Sequence, residues 1–434
     1  MSVSPFGGER TPNPGIRRFS LRDLFDVGTG IKRWIFLGAL GATLIAAGAG
    51  YAISRLVHAT PTWLLIPAWG LAALIFAVGI LLGLIGWWGV TSALAQSMSR
   101  RGSGSLSFHQ LRALERGPRI VAIGGGTGLS TLLRGLKHYS NNITAVVTVA
   151  DDGGSSGVLR REMGVLPPGD IRNCLVALSD AEPTLTRLFQ HRFAQGTGLE
   201  GHSFGNLFLV AMTDVSGDFE SAIHEASRVL AVRGQILPST LDNVNLVASM
   251  EDGTVVRGES AIPKYGGRIA QLSLNPEEPL AYSEAVKAIL EAQLLVVGPG
   301  SLYTSVLPNL MVRGIRQAME ASPALKVYVC NVATQPGETT EYSVEEHVQA
   351  LVDHIGPTVV DWVLADSGEV SSVEELRIPP PTSDDDLAGL PLFRTSVINP
   401  DFPHHHDPDL LAQALLKLYG RESHKGNGKS LNGR

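Results

Sequence analysis

Cysteine is nearly absent from this chain of 434 residues, in which only Cys174 and Cys330 occur. Two thiols are too few for a disulfide framework or a thiolate metal site, and their scarcity suits a reducing cytoplasm. An excess of basic charge is also missing, because 35 lysine and arginine residues stand against 41 acidic residues, a net charge of −6. This balance offers no basic face to nucleic acid, so we expect no nucleic-acid partner.

Charge is almost missing from residues 34–99, where Arg55 is the one strongly charged side chain. Residues 34–53 and 63–90 are apolar runs long enough to cross a bilayer core of about 30 Å as helices. Arginine and lysine flank the pair on both sides, which favours cytoplasmic ends. We therefore predict a transmembrane hairpin over residues 34–90. It makes the chain a multi-pass protein of the cell membrane, with the bilayer as a partner and with both termini and the main domain in the cytoplasm.

The rest of the chain divides by composition. Residues 1–33 are rich in proline, glycine and arginine and are predicted to form a cytoplasmic tail, and residues 91–117 a linker. Residues 118–420 suffice for one large α/β domain, and the polar residues 421–434 are predicted to be a disordered tail. Within the domain, β-branched runs alternate with helical patterns. This alternation favours a Rossmann-like, doubly wound, mostly parallel sheet, whose ligands bind beyond the carboxyl ends of the strands.

A glycine-rich loop in RIVAIGGGTGLSTLLRGL joins a predicted strand to a predicted helix. Glycine lets the backbone approach a phosphate group, and a helix amino terminus offers unpaired N–H groups. The loop lacks the lysine of an ATPase P-loop, and Leu129 stands where a dinucleotide fingerprint has its last glycine. Phosphate binding is therefore favoured over a turn without a ligand, although the loop does not identify the ligand. The residues concerned are Gly124, Gly125, Gly126, Thr127 and Gly128.

Paired acids end the second predicted strand, in AVVTVADDGGSSG. Asp151 and Asp152 occupy the position at which Rossmann-like folds place an acid for ribose hydroxyls. The same pair is a candidate Mg²⁺ site, since Mg²⁺ combines a few carboxylates with phosphate oxygens and water. Both interpretations stay open. Gly153, Gly154 and Ser155 follow as a second loop rich in accessible backbone.

Polar residues also open two predicted helices, in PPGDIRNC and GHSFGNLFL. Asp170 suits a helix cap, whereas Arg172 and Asn173 offer donors to a phosphate or carboxylate group. GHSFG matches a GxSxG nucleophile elbow in its letters, but a loop precedes it where the elbow requires a strand. The candidate ligand-binding residues of the second segment are His202, Ser203 and Asn206.

Two later strands are predicted to end in polar loops. In VVGPGSLYTSVLPN, Gly298, Gly300 and Ser301 suit close approach of the backbone to a ligand, and Tyr303 suits stacking on a base or sugar. In CNVATQPGETTEYS, the polar residues are Asn331, Thr334 and Gln335. Three consecutive histidines, His404, His405 and His406, cannot all face one ion from a regular element, so we interpret them as surface residues.

Several of these segments resemble one family. GGGTGLSTLLRGLK, TVADDGGSSGVLR, PPGDIRNCLVALSD, GHSFGNLFL, GPGSLYTSVLPNL and TQPGET are similar, in this order, to the YvcK-type gluconeogenesis factors of the wider CofD-type 2-phospho-L-lactate transferase family. The resemblance runs from about residue 119 to about residue 420. It implies a Rossmann-like fold, a pocket for UDP-sugars such as UDP-N-acetylglucosamine (UDP-GlcNAc), and a role in growth on gluconeogenic carbon sources and in cell-shape or envelope maintenance.

Two hypotheses follow. In the first, the chain is a membrane-tethered regulator that binds a nucleotide-sugar and acts through envelope or metabolic protein partners, with homo-oligomers possible. Gly124–Gly128 and Gly153–Ser155 then hold the diphosphate, Asp151 the ribose and Arg172 a phosphate or sugar oxygen. In the second, the chain is a Mg²⁺-dependent transferase that uses a nucleotide-activated donor, as the resemblance to the transferases implies. The metal ligands are then Asp151 and Asp152, and the catalytic candidates are Asp152, Asp170 and His202.

Overall fold

The structure is a computed structural model and describes residues 31–57, 65–99, 108–180, 183–368, 378 and 387–431. Most of the predicted tail over residues 1–33 lies outside this description. The chain divides into two compact units, Met1–Leu111 and Arg112–Arg434.

The first unit contains two helices, α1 (Ile31–Val57) and α2 (Leu65–Ser99), that pack along each other. Glycines form the contact. A Cβ on Gly41 would lie 2.7 Å from the carbonyl oxygen of Gly79, and one on Gly86 would lie 2.8 Å from the backbone nitrogen of Gly38. Such close backbone approach is the arrangement that small residues allow between membrane helices. Large apolar side chains point outward instead, and that of Trp87 is 72% exposed.

One helical segment among the described residues, Phe36–Ile53, is long and apolar enough to cross a membrane, and 11% of it is buried. The apolar segment Ala73–Gly89 of α2 is shorter. The structure therefore provides one candidate span, and the second crossing of the predicted hairpin is not confirmed.

Two predicted boundaries are wrong. Residues 91–99 continue α2 instead of starting a linker, because this stretch contains neither glycine nor proline to end the helix. A short helix, α3 (Phe108–Glu115), occupies much of the remaining linker. The predicted disordered tail begins inside α15 (Pro408–Leu431), which is anchored by its buried Leu411 and Leu415 and meets no proline.

The second unit alternates strands with helices. Its described strands are β1 (Ile120–Gly124), β2 (Ile143–Val147), β3 (Gln235–Pro238), β4 (Asn245–Met250), β5 (Val255–Arg257), β6 (Ile269–Asn275), β7 (Leu294–Val297), β8 (Leu325–Val329), β9 (Trp362–Asp366) and β10 (Leu392–Thr395). Its further helices are α4 (Gly126–Leu136), α5 (Gly154–Met163), α6 (Gly169–Leu178), α7 (Pro183–Gln190), α8 (Phe204–Ser216), α9 (Phe219–Val229), α10 (Ile262–Tyr265), α11 (Ser283–Glu291), α12 (Leu307–Leu310), α13 (Arg313–Ala321) and α14 (Val344–Ile355).

Seven of the described strands form a parallel sheet in the order β10-β9-β8-β7-β1-β2-β3. This arrangement confirms the predicted Rossmann-like, mostly parallel sheet. Successive residues of β1 face opposite sides, with Ile120 and Ala122 in one hydrophobic core and Val121 and Ile123 in the other. The strand order reverses between β1 and β7, because the chain continues from β1 to β2 and β3 and then returns to the other side of β1. Ligands of open α/β sheets bind at such a switch point.

A second sheet, with the order β5-β4-β6, is antiparallel and was not predicted. Burial alternates along β4, so that Leu246 and Ala248 pack into one of the two cores while their neighbours face outward. The turn after β5 leads into α10 and carries Glu259. This small sheet therefore supports the turn that places Glu259 on the wall of a cavity.

Candidate functional site

A cavity of about 450 Å³ lies at the carboxyl ends of the parallel strands, at the switch point. Loops that follow five different strands line it. They contribute Gly125–Gly128 after β1, Thr148 and Asp151 after β2, Pro299–Ser301 with Thr304 and Ser305 after β7, Asn331–Gln335 after β8, and His404–His406 after β10. Thr131 of α4, Asp170 of α6 and Glu259 of the antiparallel sheet complete the lining. The cavity thus lies where the sequence predicts a ligand.

The two glycine-rich turns at the switch point touch each other. A Cβ on Gly128 would lie 2.5 Å from the carbonyl oxygen of Pro299, and one on Gly125 would lie 2.5 Å from Oδ2 of Asp170. Gly126 has a φ of +63°, in the left-handed region that favours glycine. Packing and backbone conformation therefore require these glycines. They also place the first turn of α4 on the cavity, with N–H groups that the helix itself cannot satisfy.

Side chains from the loop after β8 and from α12 hold the turn that follows β7. Asn331 bonds both backbone groups of Gly300. Its Oδ1 accepts from the Gly300 N–H at 3.1 Å, and its Nδ2 donates to the Gly300 carbonyl oxygen at 2.9 Å. Gln335 donates to Ser301 Oγ at 2.7 Å. Asn309 donates to the carbonyl oxygen of Gly124 at 3.0 Å and ties the two turns together. The backbone around the cavity is thus pre-positioned by side-chain amides.

Three carboxyl groups share the cavity wall near β2. Burial and the neighbouring Asp151 raise the pKa of Asp170 to about 6, although the Gly126 N–H group opposes this shift. Burial and the same Asp151 raise the pKa of Glu259 to about 8. The predicted capping role of Asp170 is wrong: the N-cap of α6 is Pro168, and Asp170 faces the start of α4 instead. This wall favours ligand groups that donate hydrogen bonds or carry positive charge.

Asp152 does not line the cavity, unlike its neighbour Asp151. Asp151 Oδ1 accepts from the Gly153 N–H at 2.9 Å, whereas Asp152 Oδ1 accepts from the Ser260 N–H at 2.8 Å. The structure therefore separates the two carboxylates that the sequence pairs as metal ligands. The residues that the structure describes contain no group of three or more histidine, cysteine, aspartate or glutamate side chains placed to hold a metal ion.

Several predicted ligand-binding residues form a network outside the cavity lining. Ser155 Oγ lies 3.0 Å from His202 Nδ1, and Asn206 donates to Ser155 Oγ at 3.1 Å. Arg172 donates to Ser203 Oγ at 2.5 Å and to Asn173 Oδ1 at 2.8 Å. These bonds join α5, α6 and the start of α8, where Ser203 is the N-cap. Turns precede Ser203, so the elbow geometry is not present. Gly124, Gly153, Gly154 and Gly298 also lie outside the lining.

Tyr303 lies in the core and is 1% exposed, so it presents no face on which a base could stack. Its hydroxyl pairs with that of Tyr342 at 3.1 Å. The next residues of the same π-helical turn, Thr304 and Ser305, line the cavity instead. Thr304 donates to Glu338 at 3.0 Å, and burial raises the pKa of that carboxyl group to about 7. The apolar strand and its polar loop predict the location of this turn, but not which side chain faces the ligand.

The three histidines line the cavity, and the interpretation as surface residues is wrong for His406 alone. His404 and His405 are exposed, while His406 is buried with its Nε2 3.3 Å from the carbonyl oxygen of Cys330. Burial lowers the pKa of His406 to about 4. No lysine or arginine belongs to the described lining, and His404 and His405 are the members of the triplet whose exposed imidazole groups are open to a ligand. Their place after the edge strand β10 could not be read from the local sequence.

The chain is similar in sequence and fold to several known proteins. The family model for "2-phospho-L-lactate transferase CofD" matches residues 120–378. A relative from Nostoc sp. is 46% identical over 424 residues, covering 92% of each chain. The gluconeogenesis factor of Bacillus subtilis is 56% identical over 253 residues, covering 58% of this chain and 80% of its own. A crystal structure of a UPF0052 family member from Bacillus halodurans has a TM-score of 0.66 and 46% identity, covering 69% of this chain and 99% of its own.

Proposed function

The chain belongs to the CofD family, among its gluconeogenesis factors, and from this premise we propose that it is a membrane-tethered regulator that binds a nucleotide-sugar of the UDP-sugar class. The observation that carries the proposal is the contact between the turns after β1 and β7. It places the first N–H groups of α4 on a cavity at the switch point of the sheet. Helix amino termini of this kind bind phosphate groups.

The size and lining of the cavity suit a ligand with phosphates and hydroxyl groups. Its volume of about 450 Å³ lies within the range for small-molecule sites. The backbone N–H groups of Thr127 and Gly128 in the first turn of α4 serve the diphosphate, since those of Gly126 and Gly300 already bond Asp170 and Asn331. The carboxylate of Asp151 serves ribose or sugar hydroxyls. We assign phosphate binding to these backbone groups instead of Arg172, because the Arg172 side chain donates to Ser203 and Asn173.

Membrane attachment through residues 34–90 is the second part of the proposal. The glycine contacts between α1 and α2 direct large apolar side chains outward, as a helical pair in lipid requires. The alignment with the Nostoc relative covers 92% of this chain. The residues outside the alignment are fewer than the residues of segment 34–90, so the alignment includes at least part of that segment. Two crossings with cytoplasmic ends confine the second unit near the lipid and raise its effective concentration toward envelope or metabolic partners.

A Mg²⁺-dependent transferase activity is the alternative, and the acidic wall is the observation that favours it. Mg²⁺ is commonly bound by one or two carboxylates together with phosphate oxygens and water. Asp151 and Asp170 fit this requirement, whereas Asp152 is engaged with Ser260. A bound Mg²⁺ would neutralise charge on the phosphates. Glu259, with its raised pKa, is the group able to hold a proton beside the ligand.

Calorimetric titration of the purified full-length chain tests both functions. We expect UDP-GlcNAc to bind with or without Mg²⁺, and Asp151→Asn to weaken binding, whereas Asp214→Asn on the exposed face of α8 leaves it unchanged. Absence of binding by every UDP-sugar at millimolar concentration would contradict the regulator. Turnover of a uridine- or guanosine-activated donor that stops when Mg²⁺ is removed would establish the transferase instead.

A further inference from the structure

Asp152 and the turn after β5 form a contact between segments 108 residues apart in sequence. Asp152 Oδ1 accepts from the Ser260 N–H at 2.8 Å. Gly258 has a φ of +99°, and a Cβ at this position would overlap Oδ2 of Asp152. The carboxylate therefore lies against the backbone of the turn on both sides of Glu259, and the turn can reach it only because residue 258 is glycine.

Other contacts fix the same part of the antiparallel sheet. Arg160 of α5 is buried, and it donates to Asn243 Oδ1 at 2.7 Å and to the carbonyl oxygen of Val244 at 2.6 Å, just before β4. On the far side, α10 packs so closely on the loop after β8 that a Cβ on Gly337 would overlap the carbonyl oxygen of Pro263. The small sheet is thus held from two directions, and the residue it presents to the cavity is Glu259.

Glu259 faces a wall that already contains Asp151 and Asp170. Its Oε2 lies 3.8 Å from where a Cβ on Gly153 would be, so the carboxyl group lies beside the loop that follows Asp152. A carboxyl group at this place suits hydroxyl groups, which both donate and accept hydrogen bonds. Because burial and nearby carboxylates raise its pKa to about 8, it retains its proton near neutrality and adds little repulsion toward a diphosphate.

We propose that Glu259 is a ligand-contacting residue that hydrogen-bonds sugar or ribose hydroxyls, and that Asp152 is the residue that positions it. The assignment to hydroxyls rests on the proposed function, whereas the positioning role does not. The two adjacent acids then have different roles. Asp151 lines the cavity itself, whereas Asp152 bonds the turn after β5 and so holds the carboxyl group of Glu259 at the cavity.

Binding of UDP-GlcNAc to the full-length chain tests the ligand contact. We expect Glu259→Ala to weaken binding about tenfold or more, the usual cost of losing a good hydrogen bond to a polar ligand group, and Glu259→Gln to retain part of the affinity. Glu251→Ala, at an exposed position in the turn between β4 and β5, is the control. If the wild type binds and Glu259→Ala binds equally well, the contact is disproved. If the wild type binds no UDP-sugar, the proposed function fails and the contact fails with it.

Hydrogen exchange of the ligand-free protein tests the positioning role independently. Asp152→Asn keeps an oxygen that accepts from Ser260, so we expect the Ser260 amide to stay protected, whereas Asp152→Ala should expose it. In ligand binding, Asp152→Ala should reproduce the loss seen for Glu259→Ala, and the double variant should be no worse than either single variant. Equal loss of binding in Asp152→Asn and Asp152→Ala, with Ser260 protected in both, would overturn positioning and indicate a direct role for the charge.

Discussion

Gly128 and Pro299 are in contact across the switch point of the sheet, with space for a hydrogen atom but not for a methyl group between Cα of Gly128 and the Pro299 carbonyl. This contact sets the distance between the loops after β1 and β7. A motif that looks in sequence like a phosphate loop is therefore also a packing contact, and both roles depend on the same glycine.

Replacing Gly128 by alanine should separate the two loops. A Cβ would lie 2.5 Å from the Pro299 oxygen, so we expect a loss of about 1–3 kcal/mol in the free energy of unfolding, as overpacking costs, together with weaker UDP-GlcNAc binding. Thermal denaturation and calorimetric titration measure the two effects. Gly420→Ala in α15 is the control, because no atom lies within 4 Å of its Cβ and alanine is the better helix former. Unchanged stability in Gly128→Ala would contradict the contact.

The sequence predicts the parts of this site that follow apolar strands. The runs around Val121, Val146, Val296 and Val327 are short, apolar and rich in β-branched residues, so the strands and the polar loops after them could be located. Glu259 could not be predicted, because its position depends on a contact made 108 residues away by Asp152.

Local patterns also assigned some side chains to the wrong environment. Asp170 has the residue type and position of a helix cap, yet it faces a different helix. Tyr303 follows a glycine-rich turn, yet the π-helical turn directs it into the core. In both cases residue type and spacing establish that a loop is polar. Tertiary packing decides which of its side chains reach the cavity.

Stability without ligand should decrease as pH rises toward 8, because of Glu259. Its pKa is about 8 in the folded protein and about 4.3 in an unfolded chain, so the folded state holds more protons between these values. The free energy of unfolding therefore falls as pH rises through this window. Asp170 and Glu338 act in the same direction up to about pH 6 and 7, and His406 acts in the opposite direction below about 6.5. The buried thiols of Cys174 and Cys330, whose pKa values burial raises, act in the same direction as Glu259 above about pH 8. The decrease between pH 7 and 8 thus reports mainly on Glu259.

Thermal denaturation in EDTA between pH 7 and 8 measures this effect. Glu259→Gln cannot ionise, so its melting temperature should change less with pH than that of the wild type. Glu251→Gln, which changes an exposed carboxylate in the turn between β4 and β5, should retain the wild-type slope. Equal slopes in all three proteins would show that Glu259 does not carry the raised pKa.

Phosphate affinity should depend on His404 and His405. No lysine or arginine belongs to the described lining of the cavity, and these two exposed histidines lie on it. We expect the His404→Ala/His405→Ala double variant to bind UDP-GlcNAc about threefold to tenfold more weakly, the range for losing a hydrogen bond. His138→Ala, outside the lining, is the control. Equal affinity of double variant and wild type would remove the histidines from the binding site.

Removal of residues 1–107 should release the second unit from the membrane. The deletion takes away the candidate span Phe36–Ile53 and all of α2, and it leaves α3 and the hydrophobic cores of the second unit intact. The Bacillus halodurans structure covers 69% of this chain and 99% of its own, so a fold of this kind forms without a segment of that length. We expect the full-length chain to sediment with membranes after a carbonate wash and the shortened chain to stay in the supernatant, with UDP-GlcNAc affinity unchanged. Sedimentation of the shortened chain after the wash would place the membrane contact in the second unit instead.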